Sequence, residues 1–423
     1  MRYLPIMLFL TCLFVSGHDI QATEVHYSLG SSVTSYDNVN LVNDPQGKEV
    51  GTSVWGSFLI AENTSSLQYN IDSRLESTKY ANNLSDDRSL GRVTATSTWV
   101  LRPGMFDWNL NDTFTQTAIN PYLADTPSNR QNANVLSTGP NYYIRINPVN
   151  NLNLEARAEH YTYAENIDNN RMFGASRWVY RLNASVDLSL NYELSKVEYL
   201  DGVNNNYDRH DLFFRTEYQR NRNTFEAELG TTRVNNEHIE NFHNSRYLIS
   251  INNQRTRTEN IQLSYEHSLS DTGTELLNSG EFVQTDTLET TSNDTFVTDT
   301  ARLLYNELTT YGSFSIETRD SRYKYNTQSS LDNERKSLLI VNQWNLQRAS
   351  SLMIDAYFLN TSYPDPSINR TDRDKRYEMT YVYGARRNIN IRTRVASIER
   401  NSTDEIFSYK DMQYMISLEY SSR

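Results

Sequence analysis

Apolar and polar side chains alternate one by one along most of this sequence, and that restricts the chain to long strands with two unlike faces. Leu352, Ile354, Ala356 and Phe358 alternate with Met353, Asp355, Tyr357 and Leu359. Ile389, Ile391 and Val395 share one parity, while Asn390, Arg392 and Arg394 share the other. Leu152, Leu154, Ala156 and Ala158 alternate with Asn153, Glu155, Arg157 and Glu159. Phe106, Trp108, Leu110 and Phe114 do the same against Asp107, Asn109, Asn111 and Thr113, with Asp112 interrupting the apolar set. Successive side chains on a strand point to opposite faces, so a period of two makes one face apolar and the other polar. Helical periodicity is absent after the N-terminal segment.

Composition narrows the class. The chain has 423 residues, net charge −12, 12% aromatic residues and 29 Tyr, too many aromatics for a disordered chain. Its acidic balance gives no nucleic-acid footprint. Beyond the N-terminus no apolar run approaches the roughly eighteen residues of a transmembrane helix, which excludes a helical membrane protein. A barrel strand needs an apolar residue only at every second position. The N-terminus fits that route. Arg2 precedes the apolar run Tyr3–Val15, followed by the mostly polar Ser16–Gln21 and the small Ala22, which reads as a secretory signal peptide over 1–22. Gly17 is the alternative cut. The single cysteine, Cys12, falls inside that apolar run after Leu10 and Thr11, a poor lipoprotein site, so residues 23–423 hold no thiol.

Connections alternate in length as well. Short ones fall at Glu62–Ser65, Arg102–Gly104, Pro148–Asn150, Asn183–Ser185, Asn221–Asn223, Asn253–Arg257, Leu308–Thr310, Gln347–Ser350 and Arg387–Asn388. Between them lie longer ones at 38–50, 81–89, 118–136, 165–172, 201–209, 235–243, 271–298, 325–334, 364–374 and 401–408. Tight periplasmic turns and longer external loops are the habit of outer-membrane barrels. Nineteen connections give about twenty strands, or about eighteen if one irregular hairpin is lost. Prolines avoid the strand centres, with only Pro140 touching a strand. Tyr414, Ile416, Leu418 and Tyr420 form a terminal strand of the kind read by barrel-insertion machinery, although Ser421, Ser422 and Arg423 follow it. The fold expected is an all-β, up-and-down antiparallel transmembrane barrel over 23–423, with both termini periplasmic.

Segments such as Ser137-Thr138-Gly139-Pro140-Asn141-Tyr142, Arg220-Asn221-Arg222-Asn223-Thr224-Phe225 and Thr295-Phe296-Val297-Thr298 resemble those of the PEP-CTERM/exosortase-system-associated outer-membrane barrels. That family is grouped with β-barrel porins found beside exopolysaccharide loci. The resemblance implies an outer membrane of a Gram-negative bacterium, with outer-membrane lipids, the insertion machinery and a polysaccharide export apparatus as partners. It brings no active-site residues.

Candidate function is therefore read from the polar face. A cation facing lipid at mid-depth costs about 2–4 kcal/mol, so the strand charges belong in the lumen. Arg145, Arg157, Arg215, Glu217, Glu378, Arg386, Arg392, Arg394 and Glu419 are the lumen-lining candidates. Two readings stay open for each: a cross-strand partner that knits the wall, or a group along a solute path. Catalytic residues, metal ligands and cofactor sites are not expected. His160 and His267 fall on the apolar face, His210 stands beside Asp211, and His238 and His243 share a loop without a zinc spacing. The connection Asp271–Thr298 carries Asp271, Glu275, Glu281, Asp286, Glu289 and Asp294 but no Lys or Arg. It is either a solvated surface loop, an inward-folding constriction or a carboxylate site for Ca²⁺. Three functions follow: a porin-like channel or export conduit for polar solutes or exopolysaccharide, a non-transport scaffold or receptor, and an outer-membrane hydrolase.

Overall fold

The computed structural model describes residues 24–422 apart from 121, 125, 202–205, 239, 272–293 and 348. The expected signal peptide, Cys12, and the acids Glu275, Glu281, Asp286 and Glu289 lie outside the described residues.

Twenty strands follow one another along the chain. The first five are β1 (Glu24–Tyr36), β2 (Glu49–Asn63), β3 (Leu67–Tyr80), β4 (Arg88–Arg102) and β5 (Phe106–Ala118). Next come β6 (Arg130–Asn147), β7 (Asn150–Tyr163), β8 (Asn169–Asn183), β9 (Val186–Tyr199) and β10 (Tyr207–Arg220). Then β11 (Asn223–Asn236), β12 (Phe242–Asn253), β13 (Glu259–Asp271), β14 (Thr295–Thr309) and β15 (Gly312–Tyr325). The last are β16 (Asn333–Gln347), β17 (Ser350–Tyr363), β18 (Arg370–Arg386), β19 (Ile389–Ser402) and β20 (Tyr409–Ser421). Each pairs antiparallel with its chain neighbours, and β20 pairs back onto β1 from Ser28↔Ser421 to Tyr36↔Gln413. The result is a closed 20-stranded up-and-down barrel, as the alternation and the connection count predict.

Closure gives every strand a paired neighbour on both sides and divides it between an outer and an inner wall. Leu29, Val33, Ile416, Leu418 and Tyr420 are exposed on the outside, although all are large and apolar. Ile354 is on the same outer wall and Asp355, paired with Glu378, on the inner one. Pro140 sits in β6, and the β6–β7 register passes from Thr138↔Ala158 to Asn141↔Glu155 without pairing Gly139 or Pro140. A proline has no N–H for the ladder, so the pairing lapses where it stands.

The connections divide between the two rims. One rim carries tight turns such as 148–149, 184–185, 221–222 and 387–388, and the other carries 37–48, 119–129 and 326–332. The contrast fades at 164–168 and 237–241, which are no longer than 254–258 on the opposite rim. One seam differs from the rest. β12 and β13 pair only over the seven positions from Tyr247↔His267 to Asn253↔Ile261. Beyond His267, β13 parts from β12 while staying on β14 to Asp271↔Thr295.

Candidate functional site

The inner wall from β6 to β12 is one connected system of arginines and carboxylates. Arg157 lies 3.1 Å from Glu155 and donates to the Pro140 carbonyl at 3.0 Å and to Asn141 Oδ1 at 2.6 Å. Arg177 bridges Glu155 at 3.6 Å and Glu193 at 3.4 Å. Arg246 reaches Glu228 at 3.0 Å and Glu193 at 3.8 Å, with its guanidinium 4.0 Å over the Phe213 ring. Arg215 is within 2.7 Å of Glu217, 2.8 Å of Glu226 and 3.5 Å of Glu228. Arg177 links carboxylates of β7 and β9, Arg215 those of β10 and β11, and Arg246 those of β9 and β11, a geometry that forked donors suit and an ammonium does not.

A second group lies on β18–β20. Glu378 accepts from Arg376 at 2.6 Å and lies 3.6 Å from Arg394, which also donates to Gln413. Arg392 sits 3.6 Å from Glu419, and its side chain is 42% exposed. The register thus brings Arg392, Arg394, Glu378 and Glu419 onto one inner surface. Arg145, opposite Asn151, stands on the same wall near the short-turn rim. Arg386 does not continue the row of Glu378. A register break between Gly384 and Arg386 pairs Arg386 with Ile389, which lies opposite the outward Tyr420. That bulge carries Arg386 out of the expected inner row, because one extra residue reverses the parity.

An adjoining stretch is rich in hydroxyls and amides. On β3–β6 the inner positions toward the short-turn rim include Gln68, Asn70, Thr94, Thr96, Thr98, Asn109, Asn111 and Thr113. Thr98 donates to Asn109 Oδ1 at 2.8 Å. The signal was present in the sequence as Thr94-x-Thr96-x-Thr98 and Asn109-x-Asn111-x-Thr113. Asp72, Arg74, Arg92 and Asp107 share these inner faces, so this stretch sets hydroxyls and amides between scattered charges.

At the long-loop rim two segments turn into the mouth. The connection 119–129 reaches to the far side, where the Tyr122 hydroxyl donates to the Ser330 carbonyl. The Tyr122 carbonyl accepts from Arg370 at 2.8 Å, and its ring meets Tyr363 edge-on at 5.2 Å. Burial pushes the Tyr122 phenol above its usual range. The second is the end of β13, which turns inward where it leaves β12. Leu269 packs with Val197, Tyr199, Tyr207 and Val234 on the inner wall of the nearby strands β9–β11. Asp271 accepts from Arg171 at 2.6 Å, and Arg171 lies 5.0 Å over the Tyr161 ring. On the β14 arm of the same hairpin Phe296 is fully buried against Tyr325, and Asp294 accepts from Thr327 N at 2.7 Å. The ends of the 271–298 connection are therefore inside the mouth. Nothing in the periodicity flagged Tyr122 or Arg171.

The histidines do not converge. His160 meets Asn170 at 2.7 Å, His210 meets the Tyr192 hydroxyl at 2.8 Å, and His267 meets Asp299 at 2.7 Å, all three at outward-facing strand positions. Among the described residues no group of His, Cys, Asp and Glu could hold a metal ion.

A closed barrel with an apolar outside and a polar inside is the architecture of outer-membrane β-barrels. No protein-family model matches the sequence, and no curated protein is similar to it. Solved structures are similar in fold. The ferric enterobactin receptor PfeA of Pseudomonas aeruginosa, in complex with BCV-L6, has a TM-score of 0.50 at 9% identity, covering 96% of this chain and 82% of that one. The siderophore receptor PirA of the same organism has a TM-score of 0.48 at 8% identity, covering 96% and 82%. A BenF-like porin from Pseudomonas fluorescens Pf-5 has a TM-score of 0.42 at 11% identity, covering 95% and 99%. At these identities the likeness concerns fold alone.

Proposed function

We propose that the protein is an outer-membrane channel for polar solutes, with both termini periplasmic and the long connections outside the cell. The observation that carries this is the polar inner surface of a closed 20-stranded barrel. Barrels of about 16–18 strands already enclose water, so this one has room for a hydrated path. The rim with the longer loops is the external one in such barrels. Substrate class is read from the hydroxyls and amides of β3–β5 and the family resemblance together. A surface of threonine hydroxyls and asparagine amides suits an uncharged glycan, and the resemblance points to exopolysaccharide handled beside a surface-protein sorting system. Outer-membrane lipids, the insertion machinery and the export apparatus are the partners this reading requires.

The crossed mouth favours a second reading, a receptor or scaffold that holds glycan without conducting. Planar-bilayer recording of the purified barrel, with neutral oligosaccharides added from either side, tests both. Steady conductance blocked by oligosaccharide supports the conduit. Binding by a folded, non-conducting barrel supports the receptor, and a folded barrel that neither conducts nor binds rejects both.

A further inference from the structure

Every lysine of this chain belongs to one side of one rim. The seven are Lys48, Lys79, Lys196, Lys324, Lys336, Lys375 and Lys410. Lys48 immediately precedes β2, and the other six lie on strands within six residues of the long-loop rim. Strand parity puts each of those six on the outer wall: Lys79 with Leu75, Lys196 with Leu194, Lys324 with Phe314, Lys336 with Leu338, Lys375 with Tyr377 and Lys410 with Tyr414. The ion-paired cations of the lumen are all arginine. This division has a physical basis. An ammonium on a flexible stem lays its methylenes along apolar wall and lifts a point charge to the interface, whereas a guanidinium is fixed by paired carboxylates.

Between β15 and β20 these cations form rows. Lys336 is directly opposite Asn360, Asn360 opposite Arg373, and Arg373 opposite Asn401, so four neighbouring strands present donors in line. One step toward mid-wall, Phe358 faces Lys375, Lys375 faces Glu399, and Glu399 faces Lys410. Neighbouring strands are about 4.8 Å apart and alternate residues about 7 Å, so Lys336, Arg373 and Lys375 can converge on one small anion. The facing acids are few. Asp320 lies 3.7 Å from Lys336, Glu334 is held by Arg322 at 3.7 Å, and Glu399 accepts from Asn401 at 2.5 Å. Arg373 and Lys375 have no ion pair among the described residues, on a chain whose net charge is −12.

We infer that this sector binds the phosphorylated headgroup of an outer-leaflet lipid, its phosphate between Lys336, Arg373 and Lys375, with Asn360 and Asn401 as neutral donors. The site rests on the outer-membrane reading above. The purified barrel is inserted into zwitterionic vesicles carrying either a phosphate-monoester lipid or its dephosphorylated counterpart. Retained lipid is then counted by native mass spectrometry after detergent exchange. The wild type should retain the phosphorylated lipid selectively, and K336Q/R373Q/K375Q should retain about tenfold less. R220Q, on the outer wall at the opposite rim, should retain as much as the wild type. Equal retention of the two lipids by the wild type, or undiminished retention by the triple variant, overturns the site. If the triple variant does not fold, R373Q alone takes its place, with selective retention falling as salt rises. A wild-type chain that stays out of the vesicles overturns the membrane reading, and this site with it.

Discussion

Arginine meets carboxylate both in the mouth and in the lower lumen, but under different conditions. The Arg171 and Asp271 side chains are 8% and 7% exposed, 2.6 Å apart, and packed among tyrosines. Arg392 and Glu419 are 42% and 19% exposed and 3.6 Å apart, on a wall that faces the lumen. In the mouth both side chains are almost wholly out of water, so solvent does not replace a lost partner. In the lumen water and counter-ions substitute for a lost partner. One pairing chemistry therefore acts as a structural brace at one level and as a tunable surface at another.

The largest effect expected from this contrast is at the brace. Arg171→Gln should destabilise the barrel by about 3–5 kcal/mol, because it takes from the buried Asp271 carboxylate the guanidinium 2.6 Å away. The readout is the temperature at which the folded, fast-migrating gel form is lost. A shift no larger than that of Arg392→Gln would show that the mouth is as wet as the lumen. Next in size is the outer wall. Ile354→Arg should cost about 2–4 kcal/mol near mid-depth, and Asp355→Asn should fold normally. Equal folding yields for these two would mean that the wall assignment is reversed.

Tyr122→Ala should cost little stability, about 1–2 kcal/mol, since it removes an edge-on aromatic contact and one hydroxyl hydrogen bond at one connection. Its main readout is single-channel current, which should rise as the crossing is lost. Unchanged current would show that Tyr122 does not narrow the path. Smallest in stability is Arg392→Gln, within about 1 kcal/mol. It removes positive charge from a wall that keeps Glu419, so reversal potentials in a salt gradient should shift toward cation selectivity, less so at high salt. A stability loss with unchanged selectivity would make Arg392 a structural partner only.

The barrel was legible because one rule, alternation, repeats in every strand and any long stretch displays it. Connection lengths and proline positions carried the strand count for the same local reason. The lumen row Glu378, Arg392, Arg394 and Glu419 was legible by parity, but Arg386 was not, since a single bulge reverses parity and leaves no mark in composition. The mouth was illegible altogether. Tyr122 meets Ser330 and Arg370, 208 and 248 residues away, through contacts that no short-range period encodes. The lysine collar could have been read from parity alone and was hidden by counting Lys and Arg together.

The short seam between β12 and β13 has a mechanical consequence. Fourteen register pairs hold β10 to β11, but only seven hold β12 to β13. The hairpin that leaves that seam is the one whose ends pack inside the mouth, so the barrel's weakest joint and an inward-turned segment are a single element. A pull on that hairpin would unzip the wall from the rim downward, starting at Tyr247 and His267. Hydrogen exchange should accordingly release the amides of 242–247 before those of β10 and β11, and simultaneous release would mean that the joint is as firm as its neighbours.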